Sequence, residues 1–303
     1  MSRRVFVTGA TGFVGPHLRA HLVTRGDHDV TPAERVDVTD RAGLVASFAQ
    51  DRPEVIFHLA ARSSVAESWR DPGEFTRVNV LGTMNVLEAA REVVPEATVL
   101  IVSTSEVYGQ QEPEALPVGE HYRVAPLSPY ATSKAEAEHA ALESFFTTRQ
   151  RVIVARPFTH IGPGQSSNFV VPALTQRLLL AEGPQAAISV GNLAARRDIC
   201  DVRDTVRAYD LLTRFGQPGE IYNVASGHDV GIDEIAEWLR AGIASDARFA
   251  PDETLQRPLD VPVTRGDASK LHDATGWEPT YTLTQTLDDV VAYWRAQLPA
   301  TSL

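Results

Sequence analysis

The chain has 303 residues, 43% hydrophobic and 22% charged, which is ordinary globular composition with enough apolar material for a large core. Its net charge of −11, with no basic run beyond pairs such as Arg3-Arg4 and Arg196-Arg197, argues against a nucleic-acid or anionic-membrane partner. One cysteine, Cys200, excludes an intrachain disulfide and a cysteine-based metal site, and no His/Asp/Glu set has metal-ligand spacing. Strand residues begin at Val5-Phe6-Val7, leaving no room for a signal peptide, and no apolar run could span a bilayer. A cytoplasmic location is expected.

Strands are predicted at 4–8, 54–59, 98–103 and 151–155. Helical periodicity fills the gaps. Val14, Leu18 and Leu22 share one face, with Pro16 in the first turn and Gly26 past the end. Further helices are expected at about 41–50, 75–93 and 128–148. Such alternation predicts an α/β fold with a doubly wound parallel sheet. After Ala155 the regularity weakens, and Gly162-Pro163-Gly164 breaks the chain. A helix near 171–180, strands at 188–190 and 220–224, and a helix at 232–241 follow, while proline-rich 250–265 reads as loop. Trp238 and Trp294 fall in amphipathic helices and read as core. Residues 1–165, with returning segments at about 198–225, are expected to form one domain. About 166–197 and 226–303 would form a smaller lobe.

Thr8-Gly9-Ala10-Thr11-Gly12-Phe13-Val14-Gly15 follows the first strand and opens the first helix. Glycines there permit a tight turn and close approach to a pyrophosphate, and the helix N-terminus offers free N–H groups and a positive dipole end. The spacing is G-x-x-G-x-x-G, one residue longer than the usual fingerprint, but in the required strand–turn–helix context. This predicts a Rossmann-type site for NAD(H) or NADP(H). Glu34 lies where an acidic residue takes the adenosine ribose and suits NAD; Arg35 beside it suits a 2′-phosphate and NADP, so the choice stays open. Asp37-Val38 could meet the adenine, or Asp37 or Thr39 could cap the next helix.

Tyr130 and Lys134 stand four residues apart at the start of the predicted 128–148 helix, and so share a face. An ammonium near a phenol favours the phenolate, which makes the tyrosine a usable acid–base. Ser103-Thr104-Ser105-Glu106 ends the preceding strand, where side chains face the ligand crevice of a parallel sheet. Thr104 could hold a reacting oxygen and Glu106 could act as acid or base; turn bonding by small hydroxyls is the plainer alternative. His58 reads as a packed core histidine, and His160 as a loop residue that could line a pocket.

Together these features resemble the extended short-chain dehydrogenase/reductase family (NAD-dependent epimerase/dehydratase family). Leu59-Ala60-Ala61, Asn79 and Arg156-Pro157 match it as well. Within it, Ala155-Arg156-Pro157-Phe158-Thr159-His160-Ile161-Gly162-Pro163-Gly164-Gln165, then Asn168-Phe169-Val170, resemble the GDP-mannose branch of reductases and 4,6-dehydratases. So do Val190-Gly191-Asn192-Leu193, Arg197-Asp198 and Arg257-Pro258-Leu259-Asp260. Thr159 stands where the family usually has Asn, and Asp260 where it has Glu.

The resemblance implies a nucleotide-sugar oxidoreductase that reduces the C4 keto group of GDP-4-keto-6-deoxy-D-mannose, with Thr104, Glu106, Tyr130 and Lys134 at the reacting centre. Alternatives are a GDP-mannose 4,6-dehydratase, an NDP-sugar 4-epimerase and a non-catalytic dinucleotide sensor. Cofactor contacts would come from Gly9, Thr11, Gly12, Phe13, Val14, Gly15, Glu34, Arg35, Asp37, Val38, Leu59, Ala60, Ala61, Asn79, Ser103, Tyr130, Lys134 and Pro157. Substrate contacts would come from Ser64, Thr104, Thr159, Asn168, Phe169, Val190, Arg197, Arg257 and Asp260, the two arginines taking the diphosphate. A homodimer built on 75–93 and 128–148 is expected.

Overall fold

The computed structural model describes residues 2–29, 31, 36–183, 185–243, 246–255 and 259–298. The first half runs β1 (Arg4–Thr8), α1 (Val14–Thr24), β2 (His28–Asp29), α2 (Arg41–Asp51), β3 (Val55–His58), α3 (Val65–Ser68) and α4 (Pro72–Phe75). A π-helical turn, Thr76–Leu81, leads into α5 (Gly82–Val93). Then come β4 (Thr98–Val102), a 3-10 turn at Ser105–Tyr108, α6 (Pro129–Thr148) and β5 (Val152–Pro157). The second half adds β6 (Thr159–Ile161), α7 (Val170–Leu179), β7 (Ala187–Val190), β8 (Arg196–Asp201), α8 (Val202–Phe215) and β9 (Ile221–Val224). It ends with β10 (Asp229–Gly231), α9 (Ile232–Ile243), β11 (Arg248–Pro251), β12 (Val263–Thr264), α10 (Ser269–Thr275) and α11 (Leu283–Gln297).

The large sheet has the order β2-β1-β3-β4-β5-β9, every pair parallel. Strand residues alternate between its two faces, and both faces are apolar because both are covered by helices. Val5, Val7 and Leu100 pack with Leu18 and Leu22 of α1 and Val206 and Leu212 of α8. Phe6, Ile56, Val99 and Ile101 pack with Leu44 and Phe48 of α2, Val86 of α5 and Ala141 of α6. The order reverses at β1, which has β2 on one side and β3 on the other. That leaves a crevice at the carboxyl ends of β1 and β3.

A second set of strands centres on β8, which pairs with β6, β10 and β12, while β7 pairs with β11. Helices α7, α9 and α11 cover it through Leu174, Leu178, Ile235, Leu239, Leu287 and Val290. Buried Asp198 of β8 ties these strands to the end of β9. It accepts hydrogen bonds from Ser226 N and Oγ (both 2.7 Å), Gly227 N (3.0 Å) and Gly266 N (3.1 Å).

Three sequence expectations change. The 250–265 stretch is not all loop: the end of β11 and all of β12 lie in it, stabilised by pairing with β7 and β8 rather than by local pattern. The 75–93 helix is interrupted by the π-helical turn. Asp40, not Asp37 or Thr39, caps α2, its side chain accepting from Gly43 N at 3.0 Å; Asp37 accepts instead from Thr39 N and Oγ1.

Candidate active site at the carboxyl ends of the sheet

The glycine turn is built by close backbone approach. Gly9 has φ +71°, and a Cβ there would lie 2.7 Å from Ala60 N. A Cβ on Gly15 would lie 2.2 Å from the Ala10 carbonyl oxygen, so only glycine lets α1 rise directly under the turn. Gly12 N closes the turn onto Gly9 O at 3.0 Å. No side chain caps α1, which leaves its first-turn N–H groups available to an anion. Thr11 and Gly12 are exposed, while Phe13 and Val14 are half-buried. Leu59, Ala60 and Ala61 follow β3 beside the turn, Leu59 N donating to Thr8 O at 3.2 Å. Val38 is buried against Gly82 of α5. Glu34 and Arg35 lie outside the described residues.

At the end of β4, Ser103 Oγ is buried with no hydrogen-bond partner among the described residues. A tight glycine cradle, an uncapped helix end and a partnerless hydroxyl at the neighbouring strand end fit a dinucleotide cofactor. The turn and α1 would hold its diphosphate, and Ser103 would face its nicotinamide half. Asn79 contributes differently: Nδ2 donates to Arg62 O (3.0 Å) and Ser133 Oγ (2.9 Å), and Oδ1 accepts from Arg62 N (2.8 Å). Both its amide protons are used within the protein.

Tyr130 enters from α6, whose start is set by Ser128: its side chain accepts from Ala131 N, and Pro129 occupies the first turn. The Tyr130 ring meets Phe75 edge-on, centroids 6.3 Å apart. The Thr104 side chain stands beside the Tyr130 phenol and accepts from Glu106 N at 3.2 Å. Thr104 thus shapes the turn that brings its hydroxyl beside the phenol. Burial pushes the Tyr130 phenol up to about 12, the Thr104 hydroxyl pulling it down and the Glu106 charge adding to the rise. Desolvation is the largest of these effects. Lys134 itself is buried, and burial lowers it to about 8 against the pull of Glu138.

Sequence reading missed what stands behind Lys134. Glu138, one turn further along α6, makes a two-pronged ion pair with Arg156 of β5, at 2.9 and 2.7 Å, both side chains buried. Arg156 also donates to the Tyr108 hydroxyl (3.0 Å), which donates to Asn223 Oδ1 (2.6 Å). The Tyr-x-x-x-Lys-x-x-x-Glu period was the available signal. Pro157, buried at the end of β5, follows this pair.

The expected substrate residues fall into two groups. Ser64 caps α3, accepting from Glu67 N at 3.2 Å. Thr159 is half-buried on β6, opposite Ile199 of β8. Asn168 and Phe169 are exposed where α7 begins. Further along, Val190, Gly191, Asn192, Leu193, Ala194, Phe249, Pro251 and Asp260 line a cavity of about 420 Å³. Asp260 there pairs with Arg197 at 2.6 Å and accepts from Asn192 Nδ2 at 2.8 Å. Arg257 lies outside the described residues. His160 stacks on Phe13 of the glycine turn, ring planes 5° apart, linking turn and β6. No group of three or more His/Cys/Asp/Glu able to hold a metal occurs among the described residues.

Fold and site together define a nicotinamide-dinucleotide-dependent oxidoreductase of Rossmann type. Residues 31–290 match the family model described as GDP-mannose 4,6 dehydratase. The chain is 36% identical to GDP-6-deoxy-D-mannose reductase of Pseudomonas aeruginosa, over 98% of this chain and 99% of that one. It is 29% identical to GDP-6-deoxy-D-talose 4-dehydrogenase of Aggregatibacter actinomycetemcomitans, over 92% and 93%. Among solved structures it is similar to RMD from Pseudomonas aeruginosa complexed with NADPH, with TM-score 0.90, 36% identity, and 98% and 100% of the two chains covered. It is also similar to a UDP-glucose 4-epimerase of Thermus thermophilus in complex with NAD, with TM-score 0.87, 27% identity, and 97% and 100% covered. The chain belongs to the GDP-mannose 4,6-dehydratase family of extended short-chain dehydrogenase/reductases, NAD(P)-dependent enzymes of nucleotide sugars.

Proposed function

We propose that this enzyme reduces the C4 keto group of GDP-4-keto-6-deoxy-D-mannose. The observation that carries the reading is Tyr130 on α6, one helical turn from Lys134 and beside Thr104 at the end of β4. The reductase at 36% identity over nearly the whole chain supports the substrate. When bound, the reduced nicotinamide supplies a hydride for C4. Thr104 holds the keto oxygen, and Tyr130, whose high pKa keeps its proton in place, gives that proton to O4 as negative charge develops there. Lys134 stabilises the phenolate left behind and binds the cofactor ribose. Arg197 takes the diphosphate, releasing Asp260 to a ribose hydroxyl; the cavity from Val190 to Asp260 receives the base. Residues 1–165 and about 198–225 form the cofactor domain in this reading. The remainder forms the substrate lobe.

One observation favours a second reading. Glu106 is a half-buried carboxylate two residues from Thr104, close enough for its charge to act on Tyr130. A 4,6-dehydratase would use it as acid–base for loss of water.

Stoichiometric loss of reduced-nicotinamide absorbance with the keto sugar, NADH and NADPH tried separately, and a two-hydrogen mass gain are expected. Loss of water from GDP-mannose with no net redox change would establish the dehydratase instead. Tyr130→Phe is expected to lower kcat by ~100-fold or more while leaving dinucleotide affinity within about threefold. Unchanged turnover would remove Tyr130 from the mechanism.

We also propose a homodimer built on α5 and α6. Leu81 (50% exposed) and Met84 (40%) stand out from the π-helical turn and α5, with exposed Trp69 nearby in chain before α4.

A further inference from the structure

A chain of buried hydrogen bonds that the proposed reaction does not use runs from the glycine turn to the catalytic helix. Ala60 N donates to Thr8 Oγ1 at 3.3 Å, and Thr8 Oγ1 lies 2.8 Å from His58 Nδ1. His58 Nε2 lies 2.9 Å from Thr83 Oγ1, which donates to Asn79 O at 2.6 Å. Asn79 Nδ2 then donates to Ser133 Oγ at 2.9 Å, and Ser133 Oγ donates to Tyr130 O at 2.7 Å. Thr8, His58, Asn79, Thr83 and Ser133 are each at most 2% exposed.

Chemistry fixes the direction of each bond. A carbonyl only accepts, so the single hydroxyl proton of Thr83 goes to Asn79 O. Thr83 Oγ1 must therefore accept from His58 Nε2–H. With the ring's one proton on Nε2, Nδ1 is an acceptor, and Thr8 Oγ1, which accepts from Ala60 N–H, donates its own proton there. The imidazole is neutral and held in one tautomer. Burial, with the charge of Lys134 nearby, lowers its pKa to about 3, in agreement with that assignment. A second ring proton would leave the Thr8 hydroxyl hydrogen without an acceptor.

We propose that His58 is a positioning residue: with Thr8 and Thr83 it fastens the strand end bearing the cofactor turn to the Asn79–Ser133 clasp beneath Tyr130. The two halves of the site are then held at one spacing, which hydride and proton delivery to neighbouring atoms of one carbonyl require. The consequence for turnover rests on the reductase reading. The consequence for dinucleotide binding does not.

Thr83 allows the cleanest test. Thr83→Val removes the hydroxyl at nearly constant volume, while Thr83→Ser keeps the hydroxyl and deletes a methyl group. A purely packing role makes the serine variant the worse of the two; the relay makes the valine variant the worse. Leaving a buried imidazole N–H unpaired in T83V is expected to cost ~10-fold in NADPH affinity, read by fluorescence titration, and ~10-fold in kcat. T83S is expected to stay within about threefold on both measures, and His58→Phe to lose at least as much as T83V. Thermal melts check that T83V is folded. Equal values for T83V and T83S, or a worse T83S, would overturn the proposal. If the wild type binds NADPH but reduces no keto sugar, the functional reading fails, and the affinity measurement alone decides the relay.

Discussion

The charge state of Lys134 is expected to set the working pH. Burial lowers its pKa to about 8, and the Glu138 carboxylate opposes that shift. The ammonium is therefore present below about 8 and lost above it, while Tyr130, at about 12, keeps its proton throughout. We expect kcat/KM to fall as pH rises through about 8. Arginine stays charged to much higher pH, so Lys134→Arg, though slower, should move that fall upward. A pH–rate profile of the two proteins checks this; a fall that stays in place belongs to another group. The Tyr130–Lys134 pair was legible in sequence because both sit on one helix and their spacing is local. The His58 relay was not: its Thr8 and Thr83 partners lie 50 and 25 residues away along the chain.

At the scale of elements, the β1–α1 turn is a tight joint that only glycine allows. A Cβ on Gly15 would meet the backbone oxygen of Ala10, which cannot swing aside as a side chain could. Gly15→Ala should shift the turn off the helix end, lowering stability by ~1–3 kcal/mol and dinucleotide affinity by ~10–100-fold. Gly119, where an added methyl meets nothing within 4 Å, is the control: Gly119→Ala should bind normally. Normal cofactor binding by the Gly15 variant would show that the turn tolerates opening. This element was readable because its glycines, flanking strand and helix are contiguous. Strand β8 was not, since Arg-Arg-Asp-Ile-Cys-Asp has no strand pattern and Asp198 is buried only because Ser226, Gly227 and Gly266 satisfy it. Helix α8 did carry a readable signal, Val202, Val206, Tyr209 and Leu212 on one face behind an Asp201 cap, among interspersed arginines and aspartates.

For the whole molecule, the flank formed by the π-helical turn, α5 and α6 exposes Leu81 and Met84 among polar neighbours. If this flank joins two copies, Leu81→Asp with Met84→Asp should give a monomer by light scattering, because two carboxylates would face their own images across a two-fold axis. A dimer that survives both changes would place the interface elsewhere. Among the described residues, no helix is long and apolar enough to cross a membrane.

The sequence by itself determined the parallel sheet, the glycine turn, the Tyr130–Lys134 pair and the family, because each is written in contiguous residues with a fixed local period. Tertiary structure alone decided the protonation landscape and the geometry between those parts. Desolvation depends on what covers a group, and so raised Tyr130, lowered Lys134 and neutralised His58. Glu138 with Arg156, Arg197 with Asp260, and Asp198 with its four donors likewise join residues that only folding brings within hydrogen-bond distance.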